Sequence, residues 1–463
     1  NKAEIAINEK LKKKHDSKEL LELKGRIAVA QGFLQSMTGD FEKIEKYSAI
    51  AMKYLSEEDP LRFSWAWSSK GFKEMVQGNL TEAINSLKIG KDYAKKSGNI
   101  YLVSTTALRL AYSEWQLGLY VSMFRNCNEL LDYIHSQGYS ELTKIDWIYS
   151  GLHTTLTLIH YMWGDFDKAE EHIKIGYELS LKESNITNQF LGLYLYSIVY
   201  RGKYNWNECL KKLNELEELM HRNTIPPHLL VLYQSWKGHI LIETEEAEKI
   251  MAFFQKNNIG SETEINNQNE KAFIPFVHYL LTIGEITEAE MVLSKINQLA
   301  IKNNRLDRIS EIQVIYSIIY ERLNDSEKAN QCMLRALEVA SGEKIMVYFL
   351  YYFDEIKDLL QNIFNILATR KHDIPEEYIE KLKILIAKHE KANKNQDKSD
   401  ISTRELETLK LIAENLTNQN IADEMYISIN TVKTHIKNIL LKLDAKNRNE
   451  AILKAKENGL LLP

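Results

Sequence analysis

Apolar residues along most of this chain recur at helical spacing, in stretches such as Leu61–Val76, Thr81–Ala94, Ile148–Trp163 and Asp167–Leu181. The stretches come in pairs, and a short signature marks the joint inside each pair. GDFEKI starts at Gly39, GNLTEA at Gly78, GLYVSM at Gly118, GDFDKA at Gly164, GKYNWN at Gly202, GEITEA at Gly284 and NDSEKA at Asn324. EEAEKI around Ala247 fills the double gap between Gly202 and Gly284 as a worn copy. A two-helix hairpin cannot bury its own apolar faces, so copies stack and each covers the next. Glycine permits the tight turn, and the small residue five positions on (Ala83, Ala169, Ala289, Ala329) lets helices approach closely. About eight such units predict an all-α, tetratricopeptide-like superhelix. Their period is nearer forty than the usual thirty-four residues, which predicts longer helices or loops.

The pattern changes at the C-terminus. Along Ser428–Leu443, Val432, Ile436, Ile439, Leu440 and Leu443 form one apolar stripe. Asn430, Thr434, Lys437 and Asn438 fall opposite, flanked by Thr431 and Lys433. That outer face has amide, hydroxyl and ammonium groups and no carboxylate, which suits base edges and phosphates in a major groove. Leu441 falls on the same face with no role there. The flanking sequence predicts three more helices. Ser402 and Glu405 form a capping box for a first helix ending near Ala413, and Asn415 takes the positive-φ turn. Thr417 caps a short second helix with Ile421, Ala422 and Met425 inward. Ser428 caps the third, and Asn447 caps a fourth that stops at Gly459. A short helix, a tight turn and a longer helix with a polar face make a helix-turn-helix.

The segment from Ile401 to Leu461 resembles the LuxR-type C-terminal DNA-binding domain in its TRE, LIA, LTN, IS-NTVKTH, NIL-KL and NR-EA pieces. Asn415 stands where that family usually has Gly, and Asn420 where it usually has Glu. The resemblance implies that Lys433, Thr434 and Lys437 enter the major groove. It implies that Thr417, Asn418, Thr431 and Arg448 hold phosphates or the helix ends near them; capping and inter-helix pairing are the alternatives. It also implies a homodimer on DNA through Ala451, Ile452 and Ala455 of the fourth helix, with packing inside the domain as the alternative. The early repeats, from LKGRIAVAQGF through GNLTEAINSL, are similar to the helical-repeat region of MalT-like regulators. In that family the region binds an inducer and follows a nucleotide-binding module. No GxxxxGK[ST] occurs here, since Gly90-Lys91 runs into Asp92 without a phosphate-cradling loop. The expectation is a fragment of a longer protein, or a member without the nucleotide switch; the non-Met start favours the fragment.

Composition adds exclusions. The net charge of −5 hides the DNA face, and in 401–463 nine Lys/Arg stand against eight Asp/Glu. The positive charge is therefore local to the third helix. Cys127, Cys209 and Cys332 lie singly, without a CxxC, and read as core residues in a reducing cytoplasm. No apolar run has membrane length.

Aromatic residues recur in first helices of the repeats, and Trp67, Trp115 and Trp163 are candidates to stack against a sugar-like or peptide effector. Burial on both sides of a solenoid helix explains such residues equally well. His153 and His160 lack carboxylates at metal spacing and are expected in the core or groove. No catalytic set, metal site or cofactor is expected. The chain is thus expected to be a solenoid over 1–372, a helix and flexible tether over 373–400, and a four-helix LuxR-type domain over 401–463. Its expected function is DNA-binding transcription regulation, with double-stranded DNA, RNA polymerase and a small-molecule or peptide effector as partners and no membrane. The alternative is an adaptor whose solenoid binds proteins.

Overall fold

The computed structural model describes the chain except for residues 1–4, 8, 11–16, 39–40, 57, 140–144, 183–184, 245–246, 400–402, 426–428, 444, 458–459 and 462–463. The side chains at 33, 36–38, 41, 247, 392–399, 403–404, 429–431, 434, 441 and 457 also lie outside the description. Every regular element among the described residues is helical. Two compact units are present, residues 1–242 with 247–379, and residues 243–246 with 380–463.

The first unit is a run of antiparallel hairpins: α1 (Lys18–Thr38) with α2 (Phe41–Tyr54), α3 (Pro60–Val76) with α4 (Leu80–Ser97), α5 (Ile100–Leu117) with α6 (Tyr120–Ser136). It continues through α7 (Asp146–Met162) with α8 (Phe166–Lys182), α9 (Ile186–Gly202) with α10 (Trp206–Arg222) and α11 (Pro227–Thr244) with α12 (Ala247–Lys256). Then follow α13 (Phe273–Thr282) with α14 (Ile286–Lys302), α15 (Leu306–Arg322) with α16 (Ser326–Glu343), and the shorter α17 (Val347–Tyr351) before α18 (Phe353–Thr369). Most of these helices have 17 or 18 residues, so the long period resides in the helices. Ala83, Ala169, Ala289 and Ala329 are fully buried where paired helices meet.

The signatures are helix stops followed by helix starts. Gly78, Gly118, Gly164, Gly284 and Asn324 all have positive φ. The next residue donates its N–H five positions back, as from Leu119 to Glu114 O and from Asp165 to His160 O (2.9 and 2.8 Å), which is the Schellman closure. One copy is shifted. Gly202 ends α9, and the left-handed residue is Tyr204 (φ 61°), with Asn205 capping α10. The repeat there is therefore Tyr204-Asn205-Trp206. Gly202 serves packing instead, since a Cβ on it would lie 2.6 Å from the Phe166 ring. Gly39 lies outside the described residues.

The worn copy at Ala247 is irregular. Helices α12 and α13 have only ten residues each, and turns over 257–269 lead into a 3-10 turn, Glu270–Ala272. The superhelix also closes on itself. Val121 N–H donates to the Glu343 carboxylate and the Trp163 indole to Glu343 O (both 2.9 Å). Met346 N–H donates to Met162 O (2.8 Å), and Arg305 Nε–H to Gln116 O (3.1 Å). Residues near 116–163 and near 305–346 are thus bridged directly.

Helix α19 spans Glu376–Ser399. The expected tether over 393–399 is instead helical backbone, because NKNQDKSD contains neither Gly nor Pro to stop the helix. Its first turn belongs with the solenoid, where the Tyr378 hydroxyl donates to Ile345 O (2.6 Å). The second unit then carries α20 (Thr403–Ala413), α21 (Asn418–Glu424), α22 (Ile429–Lys442) and α23 (Arg448–Glu457).

Candidate nucleic-acid interface and interior cavity

The C-terminal helices enclose their own core. Leu409 and Ile412 of α20, Ile421 and Ala422 of α21, and Val432, Ile439 and Leu443 of the α22 stretch are all buried together, with Ile436 and Leu440 packed beside them. The apolar stripe expected on α22 is therefore the buried one. Asn415 has φ 63° and Leu416 N–H closes back onto Leu411 O (3.2 Å), so asparagine fills the glycine-like position. Thr417 accepts from Asn420 N–H (3.2 Å) and its hydroxyl donates to Asn420 Oδ1 (2.6 Å). Asn420 thus bonds the Thr417 hydroxyl, whereas a capping-box glutamate would accept from the Thr417 backbone N–H. Asn447 accepts from Glu450 N–H (3.0 Å), as a cap should. The caps expected at Ser402 and Ser428 and the stop at Gly459 lie outside the described residues. Glu405, buried, accepts from Lys442 Nζ (2.9 Å) and so ties α20 to the end of α22.

Lys433 and Lys437 are exposed on α22, and Asn438 is half-buried. The side chains of Asn430, Thr431, Thr434 and Leu441 lie outside the described residues. Thr417 is exposed and Asn418 half-buried. Arg448 donates to Leu416 O (3.3 Å) and to Asn418 Oδ1, so its guanidinium braces the start of α21. The fourth-helix contact expected of Ala451 and Ala455 needs correction. Both are buried within the domain core, because α23 turns its small residues onto α20 and α22. Ile452 is half-buried beside them, and Leu453, 58% exposed, is the apolar side chain α23 presents outward.

In the solenoid, the closed interior holds a cavity of about 120 Å³. Trp115, Tyr161, Tyr194, Tyr348 and Lys271 are among its lining residues. Of the three candidate tryptophans only Trp115 lines it. Trp67 packs beside Ala28 and Tyr47, under Lys70 (4.9 Å), and Trp163 is engaged in the closing bond to Glu343. No sequence pattern marks the charged residues in and beneath the cavity wall. The Glu270 carboxylate lies 2.6 Å from Arg305 Nη1 and 3.3 Å from Arg308 Nε, all three buried, and Arg308 also pairs with Glu311. Burial alone would raise the Glu270 carboxyl, but Arg308, Arg305 and Lys271 hold it below its ordinary value. Burial pushes Glu311 up to about 7 despite Arg308, and lowers Lys271 to about 8 with help from Arg305. A pattern search misses these groups because they come from an irregular turn and from polar positions of α15.

His153 and His160 are buried, as expected, and His172 of α8 joins them. His153 Nδ1 and His172 Nδ1 are 3.0 Å apart, and the His160 and His172 rings stack at 5.3 Å. Cys127 and Cys209 are buried and Cys332 half-buried. Among the described residues no group of three or more His, Cys, Asp or Glu is placed to hold a metal, and no helix is long and apolar enough to cross a membrane.

A helical-repeat body carrying a compact helix-turn-helix domain defines the class of architecture. The family described as the MalT-like TPR region matches residues 25–365, and the luxR family of bacterial regulatory proteins matches 399–455. The chain therefore belongs to the MalT-like TPR family and ends in a luxR-family domain. It is 20% identical over 446 residues to the HTH-type transcriptional regulator MalT of Yersinia enterocolitica, covering 90% of this chain and 47% of that protein. The MalT regulator of Vibrio parahaemolyticus is 24% identical over 335 residues, 65% of this chain and 35% of that one. The transcriptional regulatory protein LiaR of Bacillus subtilis is 52% identical over 61 residues, 13% of this chain and 29% of that protein. The chain spans less than half the length of each of these relatives.

Proposed function

We propose that this chain is a sequence-specific DNA-binding transcriptional regulator whose solenoid senses a small-molecule effector. The observation carrying the DNA reading is the exposure of Lys433 and Lys437 on a helix whose opposite face is locked into the domain core. Lysines on a rigid helix meet base acceptors and phosphates without a backbone ordering cost at binding, losing only side-chain rotamer freedom. Lys433, Thr434 and Lys437 read the major groove. Asn430, Thr431 and Asn438 border them, and Thr417 and Asn418 hold the flanking phosphates. Arg448 keeps the α21 start in place for that contact. Two copies of the domain on paired half-sites pack through the exposed Leu453 face of α23.

The small volume of the cavity favours a small molecule over a protein or peptide partner for the solenoid. A peptide needs an open groove, whereas contacts such as Met346 to Met162 bridge the superhelix interior. Selection of bound sequences from random DNA, run on the whole chain and on residues 393–463, tests the reading. Enrichment of one paired site by both supports it. A chain and fragment that enrich nothing remove the DNA assignment.

A further inference from the structure

Lys271 comes from the 3-10 turn Glu270–Ala272, with its ammonium 4.3 Å from the Trp115 ring centroid. Deep in the solenoid, it retains accessible surface because it lines the cavity. Glu270, its sequence neighbour, is engaged by Arg305 and Arg308. Asp307 takes the Arg308 N–H (2.7 Å) and the Tyr120 hydroxyl (3.4 Å), and Glu311 is taken by Arg308. Among the described residues no carboxylate lies within ion-pair distance of the Lys271 ammonium, and nothing accepts a hydrogen bond from it. The Tyr161, Tyr194 and Tyr348 hydroxyls, which line the same cavity, also have no partner among the described residues. Part of the remaining wall is apolar, with Leu158, Met162, Ile198 and Leu232, and part is polar, with Ser235, His239, Asp307, Arg308 and Glu311. A half-buried cation without an acceptor is costly, and the wall carboxylates Asp307 and Glu311 are engaged by Arg308 and Tyr120. Free donors beside an apolar patch are completed by an anion with an apolar body.

Size narrows the class. A cavity of about 150 Å³ takes up benzene, so the solenoid cavity, about 120 Å³ and partly open, holds an apolar body of roughly that size at most while the polar end of a ligand reaches its open side. An oligosaccharide or a peptide exceeds that volume several-fold, and a neutral sugar would leave the ammonium unpaired. We propose that the effector of the solenoid is a small monocarboxylate with a compact apolar body, its carboxylate bound to Lys271 and the cavity tyrosines and its body against Trp115 and the apolar wall. This assignment rests on the effector-sensing reading of the same cavity.

Calorimetric titration of the whole chain with benzoate, phenylacetate and pentanoate tests it, with benzyl alcohol and glucose as uncharged comparisons. At least one carboxylate is expected to bind with one-to-one stoichiometry, about ten-fold or more tighter than benzyl alcohol, the equivalent of about 1.4 kcal/mol. Lys271→Met is expected to abolish that preference. Tyr348→Phe, which removes only a hydroxyl, is expected to weaken carboxylate binding several-fold and serves if Lys271→Met does not fold. Equal or tighter binding of an uncharged probe overturns the carboxylate assignment while leaving effector sensing intact. Carboxylate binding unchanged in both variants overturns it as well. No heat from any carboxylate up to about 10 mM also overturns it, since millimolar affinity is the weakest a cellular effector would need. DNA selection on the same preparation is read separately, so failure of the regulator reading is distinguishable.

Discussion

Lys433 and Lys437 lie one turn apart on α22 and are both exposed, yet they need not contribute alike. A side chain bonded to base edges carries discrimination, whereas one on a phosphate carries affinity and salt dependence. Lys437→Ala is expected to cost roughly 1–3 kcal/mol on the selected site and little on random DNA, if it meets a base. Lys433→Ala, on the flank, is expected to weaken both to a similar degree and to lower the salt slope by about one. Binding titrations at several salt concentrations separate the two, and no change in either variant would remove the lysines from the interface. The histidine stack gives a second prediction at this scale. Burial lowers His153 to about 4 from an ordinary 6.5, with His172 adding to the shift, and burial lowers His172 too. The unfolded chain therefore binds more protons between those values, and stability falls as pH drops from about 6.5 toward 4, by up to about 3 kcal/mol from His153. His153→Gln should flatten the melting temperature against pH over that window, and an unchanged slope would mean other groups carry it. His153 and His160 were visible in the sequence as neighbours on one helix, but His172 was not. It reaches them from the partner helix of the hairpin, and only the tertiary packing sets that distance.

At the scale of the element, the sequence was legible wherever one residue type is tied to one backbone state. Gly78, Gly118, Gly164 and Gly284 all take the left-handed turn expected of them. Gly202 misled because glycine has two uses, positive φ and close approach, and there it serves the second against Phe166 while Tyr204 bears the turn. The two uses are separable by experiment. Gly98 has φ 68° and nothing near its missing Cβ, so Gly98→Ala should cost about 1–2 kcal/mol, the strain of a left-handed L-residue. Gly118 has φ 75° and a Cβ there would lie 2.4 Å from Asp307 N, so Gly118→Ala adds a backbone collision to the same strain. Chemical denaturation monitored by helical circular dichroism should show the Gly118 variant distinctly less stable than the Gly98 variant. Equal losses would mean the Asp307 approach is easily relaxed. The tether was misjudged for a related reason: polarity reports solvent exposure, while helix termination needs a breaker, and residues 393–400 contain none.

Over the whole molecule, the repeat pattern foretold a stack of hairpins but carried no information on how far the stack winds. Closure depends on contacts such as Val121 to Glu343, 222 residues apart, for which neighbouring-repeat periodicity has no signal. The same winding brings Glu270, Arg305 and Arg308 into the interior and makes the cavity possible at all. Such a buried group of charges contributes to a single closed geometry more than to net stability, because desolvation offsets most of the ion-pair attraction. Removing one member is different from removing a matched pair. Glu270→Gln keeps the shape but takes the carboxylate from Arg305 and leaves Arg308 with Glu311 alone, and a loss of about 3–5 kcal/mol is expected. Adding Arg305→Gln restores the charge balance around Arg308 and should recover part of that loss, a coupling that a double-mutant cycle measures directly. Additive losses would show that Glu270 and Arg305 act through packing alone, and that closure is held by bridges outside them, such as Met346 N–H to Met162 O and the Trp163 indole to Glu343 O.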